Sequence, residues 1–234
     1  MEKINIQDKV KEYEESVFKK RLDDFEKYRL LLLEYNQKYN LTAITEKQDI
    51  YYKHFLDSSI GEFLFKKDAK VAEVGSGAGF PSIVLKILRP DLQLDLFESV
   101  GKKCEFLQTV VDKFGFKKVH IYNVRAEDAC KDVKFREQYD YVTARAVARM
   151  NTLAEYCIPF IKVGGQFIAY KSGEDTEIEE GKSAYKILGG KGKTIFDFCL
   201  PKEYGKRSLI VIDKIKNTPN RYPRGQGKER KQPL

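Results

Sequence analysis

Metal-binding and disulfide-forming residues are scarce in this 234-residue chain, which has two histidines and four cysteines. The cysteines, Cys104, Cys130, Cys157 and Cys199, stand far apart in sequence. None has the short spacing of zinc or dithiol motifs, so reduced thiols and no metal site are expected. Long apolar runs are missing too. No unbroken aliphatic stretch is longer than Leu30–Leu33, against roughly 20 residues for a membrane-spanning helix. Residues 1–8 hold no apolar segment of signal-peptide type. These gaps predict a cytoplasmic chain with no membrane association.

What is present suits one α/β domain with an appendage: 42% of residues are hydrophobic, enough for a sizeable core. The formal net charge is +8, and it is unevenly placed. Residues 1–40 are neutral, whereas residues 214–234 carry Lys214, Lys216, Arg221, Arg224, Lys228, Arg230 and Lys231 against Glu229 alone. With Pro219, Pro223 and Pro233 interspersed, this end is expected to be a flexible cationic tail. Composition leaves two roles open for it, a solubiliser or an arm for a polyanion such as RNA.

Periodicity divides the rest. Residues 10–40 carry apolar side chains at Phe18, Leu22, Phe25, Leu32, Tyr35 and Tyr39, spacings that predict one long amphipathic helix. A second helix is predicted over Ile50–Phe65. From residue 70 the pattern alternates. Strands are predicted at Val71–Val74, Leu92–Phe97, Val119–Asn123, Tyr139–Thr143 and Gln166–Tyr170, with helices over 81–88, 102–114 and 149–161. This order implies a parallel sheet with helices on both faces. A helical stretch at 174–188 precedes two strand-like runs, Thr194–Leu200 and Ser208–Ile215. Joined by a hairpin-length turn, they give the sheet an antiparallel end.

The strongest local signal is Val71-Ala-Glu-Val-Gly75-Ser-Gly77-Ala-Gly79-Phe80-Pro81. A buried strand runs into three alternating glycines and then a helix, with Pro81 suited to its first turn. Glycines there permit a sharp turn and close approach of a ligand. The hydride-transfer fingerprint needs glycine where Phe80 stands, and a P-loop needs Gly-Lys-Ser/Thr, which this loop lacks. A nucleoside-type cofactor at the strand's carboxyl end fits better than a bare structural turn. Glu98, nineteen residues beyond Gly79, can accept hydrogen bonds from a ribose. The Ala126 amide and the Glu127 carboxylate are placed to read the edge of an adenine; equally, Asp128 or Glu127 is placed to cap the next helix. Arg145 follows the fourth predicted strand, where neither an aromatic amine-methylation clamp nor a cysteine nucleophile is present. Its fixed charge suits a phosphate, a carboxylate or a base edge, or else a structural ion pair. Lys171 follows the fifth strand as a ligand contact or a solvated lysine. His54 reads as a packing or capping histidine.

In this order and spacing the motifs resemble one family, the bacterial glucose-inhibited division protein B family of small-subunit ribosomal RNA guanine-N7 methyltransferases G. The resemblance rests on Asn40-Leu-Thr, His54-Phe-Leu-Asp-Ser58, the glycine loop with Phe80-Pro81, Glu98-Ser-Val-Gly-Lys102-Lys103, Arg125-Ala-Glu127, Thr143-Ala-Arg-Ala-Val147, Ala169-Tyr-Lys171 and Lys216-Asn-Thr-Pro219. It implies a class I, Rossmann-like fold that uses S-adenosylmethionine and methylates N7 of one guanine in 16S rRNA. An N-terminal helical extension (1–66), a methyltransferase domain (67–216) and the basic tail (217–234) would make up a monomer acting on the small ribosomal subunit.

Carried over by position, Gly75, Phe80, Ala126, Glu127 and Arg145 fall at cofactor contacts, with Gly77 and Gly79 in the same loop and Glu98 at the ribose. Arg145 would position the reactants. Lys171, Lys214, Lys216, Arg221 and Arg224 would face RNA. The chain has Glu73 where the family often has Asp, and Ser82 where it often has Gly. The rival functions are a methyltransferase for a small molecule or protein, a non-catalytic RNA-binding or ribosome-assembly protein that retains the fold, and, more distantly, a dehydrogenase.

Overall fold

Neighbouring residues of the central strands part to opposite faces of a sheet. Val71, Tyr141, Ile168 and Leu209 join one buried cluster, while Ala72, Val142, Phe167 and Ile210 join another. The middles of these strands are therefore covered on both sides, as a mostly parallel sheet requires. The computed structural model describes residues 1–172 and 179–234. Its strands are β1 (Glu2–Asn5), β2 (Lys70–Val74), β3 (Gln93–Glu98), β4 (Val119–Asn123), β5 (Tyr139–Arg145), β6 (Ile161–Ser172), β7 (Gly190–Cys199) and β8 (Lys206–Lys214). They form one sheet in the order β1-β7-β8-β6-β5-β2-β3-β4. All neighbours run parallel except β8, which is antiparallel to both β6 and β7.

From β2 the chain moves outward through β3 to β4, then returns to β5 on the other side of β2. This reversal opens a crevice at the carboxyl ends of β2 and β5, where open α/β sheets bind ligands. One face is covered by α1 (Gln7–Glu12), α2 (Leu22–Tyr39), a helical stretch α3 (47–59), α4 (Ser82–Leu88) and α5 (Gly101–Phe114). The other carries α6 (Ala126–Ala129), α7 (Met150–Cys157), α8 (Lys182–Ile187) and α9 (Lys228–Lys231).

Several boundaries differ from expectation. The long N-terminal helix is interrupted: Arg21 leaves helical geometry at φ −128°, and α2 starts after it. Phe25 and Leu32 are buried as expected, but Leu22 is 47% exposed, so the apolar face does not run through the break. The Phe18 side chain lies outside the described residues. Asn40 ends α2 in the left-handed conformation, its N–H bonded to the Asn36 carbonyl at 3.1 Å. Strand β6 begins five residues early, at Ile161, because a register shift around Gly164-Gly165 hides its first part from a periodicity argument. Strand β1 had no sequence signal: all four residues are exposed, and only pairing with β7 makes it a strand. Part of the helix expected over 174–188 lies outside the described residues, and Lys182–Ile187 is helical.

The tail needs a correction. Rather than projecting as a flexible arm, it packs on the α7 face, with Thr218, Tyr222 and Glu229 buried. The cause is polar. Arg136 donates to the carbonyls of Tyr222 (2.7 Å) and Thr218 (2.8 Å), and Arg224 pairs with fully buried Glu155 at 2.7 Å. A buried carboxylate needs such a partner, so the segment is held in place.

Candidate functional site

The glycine loop is built by backbone demands. At Gly75 the chain turns with φ +69°, and a Cβ would stand 2.7 Å from Val147 Cγ2. At Gly79, φ is +88° and a Cβ would strike the Ile83 side chain. Both positions therefore exclude a side chain. The loop folds over the end of β3, where the N–H groups of Gly75 and Ser76 donate to the Phe97 carbonyl at 2.8 and 3.3 Å. Glu98 is 5% exposed and fastens the loop to the next turn. Its carboxylate accepts from the N–H of Gly77 at 2.9 Å and of Val100 at 2.8 Å. Tyr28 of α2, fully buried, donates its hydroxyl to the Ala78 carbonyl. The N-terminal helices are thus part of the loop's support.

A cleft lies between this loop and the ends of β4 and β5. Gly75, Phe97, Ser99, Val124, Arg125, Ala126, Glu127, Val147, Tyr156 and Arg230 line it. Of the residues expected to hold a cofactor, Gly75, Ala126 and Glu127 face the cleft directly, and Gly77 and Glu98 are joined at its edge. Ala126 opens α6, so its N–H is one of those a helix start leaves without an intrahelical partner. A mainly polar cleft with Phe97, Val124 and Val147 beside the Glu127 carboxylate and the Ala126 N–H offers both ring contacts and hydrogen bonds, so the residues present fit an adenosyl group.

Phe80 and Arg145 belong to the other side, facing α3, and Gly79 packs against Ile83 and Tyr28. The Phe80 ring is 7% exposed and stacks on His54 with centroids 4.3 Å apart. Arg145, the last residue of β5, donates to Asp57 (3.1 Å), the Lys53 carbonyl (3.2 Å), the Ser58 hydroxyl (3.3 Å) and His54 Nδ1 (2.6 Å). A guanidinium cannot accept, so Nδ1 is the acceptor and the ring proton sits on Nε2, 2.9 Å from Thr42 Oγ1. Burial, then the Arg145 charge, pull His54 down to about 3, which keeps it neutral. Burial raises Asp57 above its ordinary value, against the pull of Arg145 and Arg207. Next to Arg145, Ala146 takes a left-handed φ of 56°, an unusual conformation for a residue with a side chain.

Beneath the loop sits Glu73, 1% exposed, with neither carboxylate oxygen hydrogen-bonded to the described residues. Burial pushes it up to about 8, so it is largely protonated at neutral pH.

The residues expected to face RNA separate into three groups. Lys216 and Arg221 are exposed. Lys171 is half-buried and donates to the Ala148 carbonyl at 2.7 Å, bracing the turn after β5. Lys214 and Arg224 are corrected. Lys214 is 2% exposed, donates to the carbonyls of Ile158 and Leu188 and pairs with Glu137 at 3.1 Å. Burial lowers it to about 8. Arg224 is engaged by Glu155, and neither side chain reaches out to a polyanion. Sequence reasoning missed Tyr28 and Tyr156, and it met Val147 only inside a motif and Arg230 only as one cation of the tail. The Thr42–His54–Arg145–Asp57 chain was visible only as separate motifs.

A family model described as "rRNA small subunit methyltransferase G" matches residues 21–207. Among relatives, the ribosomal RNA small subunit methyltransferase G of an Exiguobacterium species is 46% identical over 92% of this chain and 91% of its own length. The protein of that name from Geobacillus thermodenitrificans is 44% identical over the full length of both. Similar solved structures include M. jannaschii TYW2 in complex with AdoMet (TM-score 0.57, 15% identity, 74% of this chain and 80% of that one). A SAM-dependent O-methyltransferase from Thermotoga maritima is also similar (TM-score 0.52, 15% identity, 80% and 72%). At such identities the structures speak for the fold alone, that of class I methyltransferases.

Proposed function

The chain belongs to the rRNA small subunit methyltransferase G family, and on that premise we propose that it transfers a methyl group from S-adenosylmethionine to N7 of a guanine in 16S rRNA of the small ribosomal subunit. The observation that carries the cofactor reading is the cleft at the β2/β5 reversal, where Gly75, Ala126 and Glu127 converge beside Glu98. Glu98 would accept from the ribose while its backbone donors hold it in place, and Ala126 N–H with the Glu127 carboxylate would take the adenine edge. When bound, S-adenosylmethionine supplies a methyl group activated by a sulfonium.

Guanine N7 presents an in-plane lone pair and carries no hydrogen, so its methylation requires no general base. What remains for the protein is alignment, and positioning alone contributes several kcal/mol to such displacements. Arg145 serves this as a brace: its bonds to His54, Asp57 and Ser58 lock the end of β5 to α3 beside the glycine loop. Val147, packed against Gly75, transmits that placement to the cleft. Lys216 and Arg221 would meet RNA phosphates. A base within folded RNA must be brought out to reach the cleft. On this reading the chain works as a monomer in the cytoplasm; among the described residues no helix is long and apolar enough to cross a membrane.

Small subunits lacking the modification, incubated with the protein and methyl-labelled S-adenosylmethionine, should yield labelled 7-methylguanosine on digestion of 16S rRNA. Cofactor binding without any transfer to RNA would favour the non-catalytic assembly role instead.

A further inference from the structure

We propose that the segment after β8 is a wall of the cofactor pocket and that Arg230, within α9, contacts the adenosyl group there. This rests on the cofactor reading above.

Arg230 lines the same cleft as Gly75, Ala126 and Glu127, although more than 100 residues separate it from them. Its position is fixed by buried polar bonds. Arg224 grips Glu155 of α7 with both its backbone N–H (2.8 Å) and its guanidinium (3.0 and 2.7 Å). Gly225 N–H donates to the Glu229 carboxylate, and Thr152 Oγ1 donates to the Glu229 carbonyl at 3.0 Å. Glu155 and Glu229 are both fully buried. Two buried carboxylates are a costly way to hold a tail that has nothing to position. Together they bring α9 onto α7 and set Arg230 beside Tyr156 at the rim.

Arg230 differs from the arginines that do this holding. Its residue is exposed, and among the described residues it makes no ion pair and only a hydrogen bond to the Tyr156 hydroxyl at the cleft, whereas Arg136 and Arg224 are committed to the fold. A planar guanidinium at the open edge of a nucleoside cleft can lie against an adenine face or donate to a ring nitrogen. The cationic C-terminal stretch therefore divides in function: Arg224 anchors, Arg230 contacts cofactor, and Lys216 and Arg221 stay on the surface.

The test is calorimetry with S-adenosylhomocysteine and with adenosine on Arg230→Ala, whose exposed side chain can be removed without unfolding the chain. Kd should rise about tenfold for both compounds, the loss expected of one charge-assisted contact. Arg230→Lys should recover part of it, and Lys191→Ala, the same charge change on exposed β7, should leave Kd at the wild-type value. Equal weakening for both compounds places the contact at the adenosine end. An unchanged Kd in Arg230→Ala, with wild type binding normally, overturns this proposal alone. A wild-type protein that binds neither compound overturns it together with the cofactor reading.

Discussion

Arg145 satisfies four acceptors on α3, and its removal exposes what each of them needs. Arg145→Ala leaves the Asp57 carboxylate, 9% exposed in its side chain, to Arg207 alone at 3.5 Å, and leaves His54 Nδ1 without its donor. Breaking a buried pair by deleting one partner costs on the order of 3 kcal/mol. The variant should therefore lose methyl transfer and show a lower Tm by calorimetric scanning. Arg145→Lys should restore little, because a point charge cannot serve His54, Asp57 and Ser58 in their separate directions.

Glu73 gives a pH signature of defined sign. Its folded-state value, about 8, lies above the ordinary 4.5. Its contribution to stability is full below pH 4.5 and declines as pH rises to 8, by roughly 1.4 kcal/mol per pH unit. His54 acts oppositely: with its value lowered from 6.5 to about 3, stability falls as pH drops through that window. The two oppose each other between pH 4.5 and 6.5, so the Glu73 effect stands out between 6.5 and 8. Urea midpoints should fall across that range in the wild type and fall less in Glu73→Gln. Identical slopes would show that Glu73 is not held protonated.

The loop after β2 works because it has no side chains to accommodate. Gly75→Ala would put a methyl 2.7 Å from Val147 Cγ2 in a left-handed turn, at a cost of roughly 1–2 kcal/mol for the backbone alone. Weaker cofactor binding is expected, and Val147→Ala in the same chain should return part of the affinity by making room. Calorimetry on the two variants separates the clash from the backbone penalty. This loop and the strands feeding it were legible in the sequence because a buried parallel strand ending in glycines is a local pattern.

Elements defined by distant partners were not legible. Strand β1 exists only through β7, and the interruption before α2 falls at Arg21, where no glycine or proline marks it. Arg145 was legible as an unusual cation after β5, but its four acceptors lie about 90 residues away and no spacing rule reaches them.

The distribution of charge is where composition misled most. A proline-containing run of seven cations reads as a solvated arm, yet Lys214 and Arg224 are neutralised inside the protein by Glu137 and Glu155. Their partners precede them by 77 and 69 residues, so the pairing appears only once the sheet has formed. What remains outside is a smaller basic surface, including Lys216 and Arg221. Double replacement of these two by alanine should weaken RNA binding and flatten its log–log salt dependence by about two. An unchanged slope would place the RNA on another face.

The N-terminal helices belong to the same assembly, since Tyr28 supports the glycine loop and α3 holds Arg145. On the proposed function, cofactor cleft, brace and basic surface would be parts of one device for presenting a methyl group to a ring nitrogen. Mapping of 7-methylguanosine along 16S rRNA, in cells with the gene deleted and with it restored, examines that purpose without assuming any residue's role. One guanine should lose its N7 methyl on deletion and regain it with the wild-type chain but not with Arg145→Ala. An identical N7-methylation map in the presence and absence of the protein would contradict the account.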